Sequence, residues 1–466
     1  MPANVIVIGA GASGLMAAIS AARSGAAVTV LEAQERAGRK LLITGNGRCN
    51  LTSPDPEMAK KYQGTGAGLA MRLTGEFGNE ATLDFFHSLG LLTREKNGCV
   101  YPYTMRASSV LDVLLAEARS LRVKLKFSQK ITEVIPAGAA QPDRLAQADA
   151  GGSLPNGADD AVPHYQVVTP TWTYTADSVI LACGSKAAPA TGAASEGYLL
   201  AESLGHSIIE PRPVLVPLVC EKHFLEKSLA GMRCHAKVTL LYSASGFWTD
   251  RATEELASET GELQWTNYGV SGIVIFGLSR YADFGRFSSD RSPAAAQASA
   301  KGTKNRIHYV LSIDFLPDFN ERELEELLIK RAGGLSKEPV SVLLRGFLNE
   351  KLIPLVLSHA GQGHPPVYCL EMTEEFIKEL VTVMKMYHLP VFGTKSFDQA
   401  QVCAGGVDCA GVTEKLESRL HKSLYFAGEM LDVDGPCGGY NLQWAWTSGY
   451  LAGKNAAKPQ TGRKQK

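Results

Sequence analysis

Val5-Ile6-Val7-Ile8-Gly9-Ala10-Gly11-Ala12-Ser13-Gly14 decides how this chain is read. Four apolar, mostly β-branched residues that run straight into glycine predict a buried strand. A G-x-G-x-x-G follows, and from about Ala12 to Arg23 the pattern turns helical. A second apolar run, residues 27–31, predicts another strand that ends at Glu32. Gly9 permits the tight turn, Gly11 lets a pyrophosphate approach the backbone, and Gly14 lets the helix lie on the strand. The helix start offers free N–H groups and the positive end of its dipole to phosphates. Glu32 stands 18 residues beyond Gly14, close to the spacing at which a carboxylate accepts from ribose hydroxyls, and its charge disfavours a 2′-phosphate. The unit therefore predicts FAD or NAD, not NADP.

At 466 residues the chain is long enough for two or three domains. It is 45% hydrophobic and 20% charged with zero net charge, which predicts a globular protein without nucleic acid as its main partner. The apolar stretch 5–22 is broken by Gly9, Gly11 and Gly14, and no positive side chain precedes Arg23, so neither a signal peptide nor a membrane span is expected. Nine scattered cysteines without a C-x-x-C predict reduced thiols and a cytoplasmic location. Cys403 and Cys409 are six apart without histidines at ligand spacing, so no metal is expected.

Residues 36–40 carry basic side chains and glycine, and 41–50 form a Gly/Asn-rich loop suited to a pyrophosphate and a flavin edge. Helices are predicted over 79–89, 105–121, 322–332 and 373–386. Strands are predicted over 123–127, 131–135, 165–169, 178–184, 214–219, 236–242, 272–278, 309–315 and 424–429. Residues 136–163 read as a mobile hairpin loop between two pairing strands, and 283–306 as a flexible Ser/Ala-rich segment. Residues 403–407 read as a tight turn, 431–439 as a loop, and 440–452 as a helix opening on Gly438-Gly439. Such a helix start can receive charge gathering on a reduced flavin. No second G-x-G-x-x-G follows a strand.

Four motifs together resemble the HI0933-like flavoproteins: GAGASG at 9–14, GRKLLITGNGRCNLT at 38–52, QVCAGGV at 401–407, and YFAGEMLDVDGPCGGYNLQWAWTSGYLAG at 425–453. The resemblance implies an α/β fold in which a discontinuous, three-layer Rossmann-like FAD domain is interrupted by a β-barrel with a small helical part. The expected boundaries are 1–194, 195–393 and 394–466. It places FAD contacts on Gly9, Gly11, Ala12, Ser13 and Gly14, on Glu32, on Arg39 and Lys40, and on Gly45, Asn46, Gly47 and Arg48. Val134 would meet the adenine with Gly184 nearby, and Gly428, Glu429, Gly439, Asn441 and Leu442 would approach the ribityl chain and pyrimidine ring.

Family members have been assigned as reductases of 3-oxo-delta-4,6 bile-acid intermediates and as amine oxidases acting on aminoacetone, and fold cannot choose between them. Three functions follow: an NAD(P)H-fed FAD reductase of C=C bonds in a bile-acid or steroid-like enone, an FAD oxidase of a small amine, or a non-catalytic flavin-holding module that binds RNA or protein. For the reductase, Tyr440, Asn441 and Glu429 are the catalytic candidates, with Asp432 beside them. Asp432 and Asp434 have a plainer reading as caps of the loop before the helix. Cys49 and Cys437 read as small apolar packing beside the cofactor rather than as redox groups.

Overall fold

The computed structural model describes residues 2–137, 164–220, 227–244, 253–284 and 308–458. The chain forms two compact units, residues 1–212 with 402–466, and residues 213–401.

In the first unit the chain runs β1 (Asn4–Ile8), α1 (Ala12–Arg23), β2 (Ala27–Leu31), α2 (Arg39–Gly47), α3 (Ala67–Glu76), α4 (Asn79–Ser88), and a hairpin of β3 (Thr93–Lys96) and β4 (Cys99–Pro102). Then come α5 (Ala107–Ser120), β5 (Lys124–Lys126), β6 (Glu133–Pro136), β7 (Tyr165–Val168), β8 (Thr173–Ala176), β9 (Ser178–Leu181), α6 (Glu196–Ser203) and β10 (Ile208–Val214). In the second unit, β11 (Leu218–Cys220), β12 (Arg233–Ser243), β13 (Thr253–Trp265), β14 (Gly269–Ser271), β15 (Tyr309–Asp314) and β16 (Tyr387–Thr394) close an antiparallel barrel. Its core is shared with α7 (Ile273–Ser279), α8 (Glu321–Gly334), α9 (Val340–Leu344), α10 (Leu352–Ala360) and α11 (Glu374–Lys385). The chain returns to the first unit as β17 (Val402–Val407), β18 (Leu424–Phe426) and α12 (Tyr440–Ala456).

The central sheet of the first unit is parallel, in the order β18-β9-β1-β2-β5. Its inner strands β1 and β9 are short and almost wholly apolar, which suits a sheet covered on both faces. One core joins it to α1, α5, α12 and the three-stranded β6-β7-β8 sheet. The opposite ends of the chain meet where α12 lies on α1. A Cβ at Gly449 would stand 2.4 Å from the Ser13 carbonyl oxygen, and one at Gly453 2.2 Å from that of Ala17. Only glycine allows backbones this close.

The expected α/β architecture with an inserted barrel is what the chain adopts, and β6 pairs antiparallel with β7 as the hairpin reading required. Most of that hairpin loop and of the Ser/Ala-rich segment lies outside the described residues. Four expectations need correction. Residues 272–278, read as a strand, form α7, whose buried Val274, Ile275 and Leu278 follow helical spacing. Residues 403–407, read as a turn, belong to β17: Gly405, at φ +89°, lets the Glu210 carbonyl of β10 come where a Cβ would be 2.5 Å away. The run 214–219 is not one strand, because β10 ends before Leu215, at φ +51°, and β11 starts after Pro217. The stretch 41–50, read as loop, holds most of α2 (Arg39–Gly47), a helix broken at Thr44, Gly45 and Asn46. The long, mostly polar β13 escaped the sequence reading altogether.

Candidate functional site: a dinucleotide cradle at the carboxyl edge of the sheet

In a doubly wound sheet, ligands bind outside the carboxyl ends of the strands. Here the turns after β1, β2, β9 and β18 carry Gly9, Glu32, Gly184 and Gly428. Gly9 sits at φ +106°, where a Cβ would lie 2.5 Å from the Ala182 carbonyl oxygen. Gly14 is packed harder, its missing Cβ 1.9 Å from the Gly9 oxygen. Gly11 differs: nothing lies within 4 Å of its Cβ position, and as N-cap of α1 it has no side-chain cap bond. Ala12 and Ser13 open that helix, and with no side-chain cap its first N–H groups suit an anion.

Glu32 anchors the loop from the end of β2. Its Oε2 accepts from the Ala10 amide at 2.6 Å and its Oε1 from the Gln34 amide at 2.9 Å. Ala33, Gln34, Glu35, Arg36, Arg39 and Ser128 line an open pocket of about 570 Å³ beside it. Arg39 donates to the Gln34 side chain and to the Ala190 carbonyl, the latter at 2.8 Å. Gly184, at φ +78°, has clear space around its Cβ position. Val134 is buried in β6, opposite Val167. Gly45, Asn46 and Arg48 are exposed in the kinked end of α2, with Gly47 half-buried.

The second glycine-rich segment completes the cradle. The Lys40 ammonium meets Glu429 Oε2 at 2.5 Å, and Ser185 Oγ donates to the same oxygen at 3.1 Å. Gly428 donates its N–H to Ser448 Oγ at 2.8 Å and accepts at its carbonyl from Trp444 Nε1 at 3.2 Å. Gly439 caps α12 at φ +101° with no side-chain cap bond, and a Cβ there would meet the Thr52 carbonyl carbon at 2.6 Å. Leu442 is half-buried in the first turn of that helix.

The catalytic candidates are each engaged. Tyr440 donates from Oη to Asp55 Oδ2 at 2.5 Å, and Lys61 pairs with that same oxygen at 2.6 Å. Burial, then the hydrogen bond to Asp55, pushes the Tyr440 hydroxyl above its ordinary value, so it keeps its proton. The Asn441 amide clamps its own loop: Oδ1 accepts from the Gly435 amide at 2.8 Å, and Nδ2 donates to the Gly435 and Pro436 carbonyls at 2.8 and 3.2 Å. Asp432, 3% exposed, accepts from the Gly405 and Thr65 amides at 2.9 and 2.7 Å and so ties β17 and the loop before α3 to its own segment. Cys49 is buried at φ +57°, and burial pushes its thiol up to about 12, which makes it packing.

Asp55, Lys61, Ser185 and Tyr198 were not singled out from sequence. Ser185 was within reach, because it directly follows the Gly184 that marks the end of β9. The others stand in no motif and come to the site only through the tertiary fold.

An uncapped helix start, a carboxylate at the end of β2, an adjoining open pocket and a second uncapped, glycine-led helix fit a flavin dinucleotide. They define an FAD-binding Rossmann protein. The chain matches the HI0933-like protein Rossmann domain over residues 3–455 and belongs to that family. It is 38% identical over 457 residues to 3-dehydro-bile acid delta(4,6)-reductase of Clostridium scindens, covering 97% of this chain and 98% of that protein. It is 27% identical over 448 residues to ribosomal RNA dihydrouridine synthase of Haemophilus influenzae, covering 96% of each. Among solved structures, 3-ketosteroid-delta4-(5alpha)-dehydrogenase of Rhodococcus jostii RHA1 aligns with a TM-score of 0.45 at 16% identity, covering 98% of this chain and 97% of that one. The protein is an FAD-dependent oxidoreductase. Among the described residues no helix is long and apolar enough to cross a membrane, and no cluster of metal-ligating side chains occurs.

Proposed function

We propose that the protein reduces a carbon–carbon double bond conjugated to a carbonyl, in a 3-oxo-delta-4,6 bile-acid or steroid-like enone, with NAD(P)H as electron donor. The observation that carries this reading is the 38% identity, over nearly the full length of both chains, to a bile-acid delta(4,6)-reductase. When bound, FAD supplies the hydride chemistry. The chain's own groups supply the rest. The uncapped first turn of α12 behind Gly439 offers N–H donors that stabilise negative charge on a carbonyl oxygen. Tyr440 holds a proton at Oη, and its contact with Asp55 and the half-exposed Lys61 links that proton to solvent. Asn441 fixes the loop 435–436 against α12, while Glu429 holds Lys40 and Ser185 in place. Glu32 sets the ribose end, and the absence of a second G-x-G-x-x-G makes the nicotinamide a transient visitor.

A second reading has its own support. Two relatives, at 27% and 25% identity, are ribosomal RNA dihydrouridine synthases. The uracil 5,6 double bond is likewise conjugated to a carbonyl. The β3–β4 hairpin and the residues after it present the Arg94 guanidinium 5.4 Å from the ring centre of Tyr103, which is 60% exposed. Arg48 and Lys96 are exposed as well. Basic groups beside an open aromatic ring suit a nucleobase and phosphate.

Anaerobic stopped-flow spectroscopy on the purified holoenzyme decides between them. Rapid bleaching of the flavin by NADH or NADPH, followed by reoxidation with a 3-oxo-4,6-dienoic bile acid, supports the first reading. Reoxidation by ribosomal RNA alone favours the second. Bleaching only by an amine such as aminoacetone, with peroxide released in air, overturns both.

A further inference from the structure

Tyr198, on α6, is 4% exposed, and its hydroxyl has no hydrogen-bond partner at bonding geometry. A buried hydroxyl without an acceptor loses its hydration with nothing in exchange, and native folds rarely leave one so. The surroundings are polar rather than apolar. The Lys186 main chain makes a weak hydrogen-bonding contact with the hydroxyl oxygen, which leaves the O–H without an acceptor, and Cys403, Glu429 and Asp432 interact with it electrostatically. Burial first, then these groups, hold the phenol well above its ordinary value. It therefore keeps its proton and is available only as a neutral hydrogen-bond group.

The position of this hydroxyl gives it meaning. The Glu429 Oε2 atom already receives Lys40 and Ser185, and the Cys403 thiol interacts with Ser185. Ser185 follows β9 and Glu429 follows β18, so both stand at the carboxyl edge of the parallel sheet, where the dinucleotide cradle lies. Gly197, the residue before Tyr198, packs its Cα against the Cys183 side chain, which the missing Cβ would approach to 2.6 Å. That contact pins the start of α6 to the end of β9. The unpaired O–H is thus held rigidly beside the side chains that the glycine-rich segments bring together.

We infer that Tyr198 is a cofactor-binding residue whose phenolic O–H donates to an acceptor of the bound FAD, alongside Glu429. The inference rests on FAD as cofactor and not on either substrate reading, so it stands or falls independently of them. Without cofactor the buried O–H has no acceptor, and an acceptor on bound FAD would satisfy it.

The test uses two variants of the full chain and no turnover assay. Tyr198→Phe removes the hydroxyl and keeps the ring. Stripped of flavin, it should melt at the wild-type temperature or above, because an unpaired polar group has gone. Titrated with FAD and followed by flavin fluorescence, it should bind 3- to 10-fold more weakly, and the temperature gain on adding FAD should shrink. Opposite signs in the two forms are the signature. FAD affinity within twofold of wild type, or equal loss of stability with and without FAD, overturns the assignment and makes Tyr198 a packing residue. Site-specific 3-fluorotyrosine at position 198 keeps the shape and strengthens the donor. Here a shifted visible flavin band and tighter binding are expected, and an unchanged spectrum with unchanged affinity counts against the inference even if the Phe variant does not fold.

Discussion

Lys40 and Glu429 are 389 residues apart in the chain and meet at 2.5 Å between Nζ and Oε2. The pair joins the first glycine-rich segment to the last, and its side chains are 27% and 17% exposed. Water screens it only in part, so it is stronger than a surface pair and weaker than a fully buried one. Lys40→Met leaves the carboxylate with Ser185 as its remaining hydroxyl donor. We expect a loss of about 1–3 kcal/mol in urea unfolding, between the surface and buried limits. FAD affinity should fall with it. The double variant with Glu429→Gln should lose less than the sum of the two single changes, because the partners are directly coupled. Strict additivity in the denaturation midpoints would mean the contact contributes nothing.

Glycines in the first motif separate stability from binding. A Cβ on Gly14 would sit 1.9 Å from the Gly9 oxygen, and one on Gly449 2.4 Å from the Ser13 oxygen. Both obstacles are backbone and cannot swing aside, so Gly14→Ala and Gly449→Ala should cost about 3 kcal/mol or more, with loss of soluble yield. Gly11→Ala meets nothing within 4 Å. Its apo form should unfold within about 1 kcal/mol of wild type, the cost of alanine in place of glycine at an N-cap, while its FAD affinity drops at least tenfold. Thermal melts with and without FAD read both quantities. Normal FAD binding by Gly11→Ala would move the pyrophosphate away from this loop.

The legible parts of the fold were those where local pattern and tertiary demand agree. β1, α1 and β2 announce themselves because a parallel strand buried on both faces must be apolar throughout and a phosphate turn must be glycine. The failures share a cause. Residues 273–279 are rich in Val and Ile, yet barrel packing turns them into α7 and buries one helical face. The glycines of β17 looked like a turn, although their lack of Cβ serves close approach by β10 and by the Met430 carbonyl. β13 carries so many Glu, Thr and Ser residues that only its pairing with β12 identifies it. At the site, the glycine motifs and Glu32 could be read from spacing, whereas Asp55 meets Tyr440 385 residues further along, and neither Asp55, Lys61 nor Tyr198 stands in a motif.

The Asp55–Lys61–Tyr440 cluster predicts a pH window for the first unit. The Lys61 hydrogen bond, then that of Tyr440, lowers the Asp55 carboxyl from its ordinary 3.8 to about 2. A group depressed in the folded state adds stability that is complete above 3.8 and disappears as pH falls toward 2. Lys61 is raised by its bond to Asp55, and Tyr440 by burial and by Asp55. Raised groups add stability below their ordinary values, 10.5 and 10.0, and lose it as pH climbs beyond them. Asp55→Asn should flatten both limbs of the curve of melting temperature against pH. A variant curve parallel to wild type from pH 2 to 4 would show that the carboxylate is not coupled to folding.

Thiol chemistry offers a test of the burial pattern around the cradle. None of the nine cysteines forms a disulfide, and burial pushes Cys49, Cys183 and Cys409 up to about 12 and Cys403 and Cys234 to about 11. Burial also raises Cys220 and Cys369. The thiolate is the reactive form, so these seven should be silent toward an aromatic disulfide at pH 7.5. Cys99 and Cys437 are half-exposed and flank Gly438, whose Cβ position lies 3.7 Å from the Cys99 sulfur. The native protein should therefore show a fast phase of at most two thiols, reduced by one in Cys437→Ser, with the rest appearing only in denaturant. Bound FAD should slow that phase if it lies against β4 and the 435–439 loop, where Cys99 and Cys437 stand. A fast phase of four or more thiols, or one that Cys437→Ser and Cys99→Ser together leave intact, would contradict the burial of the other seven.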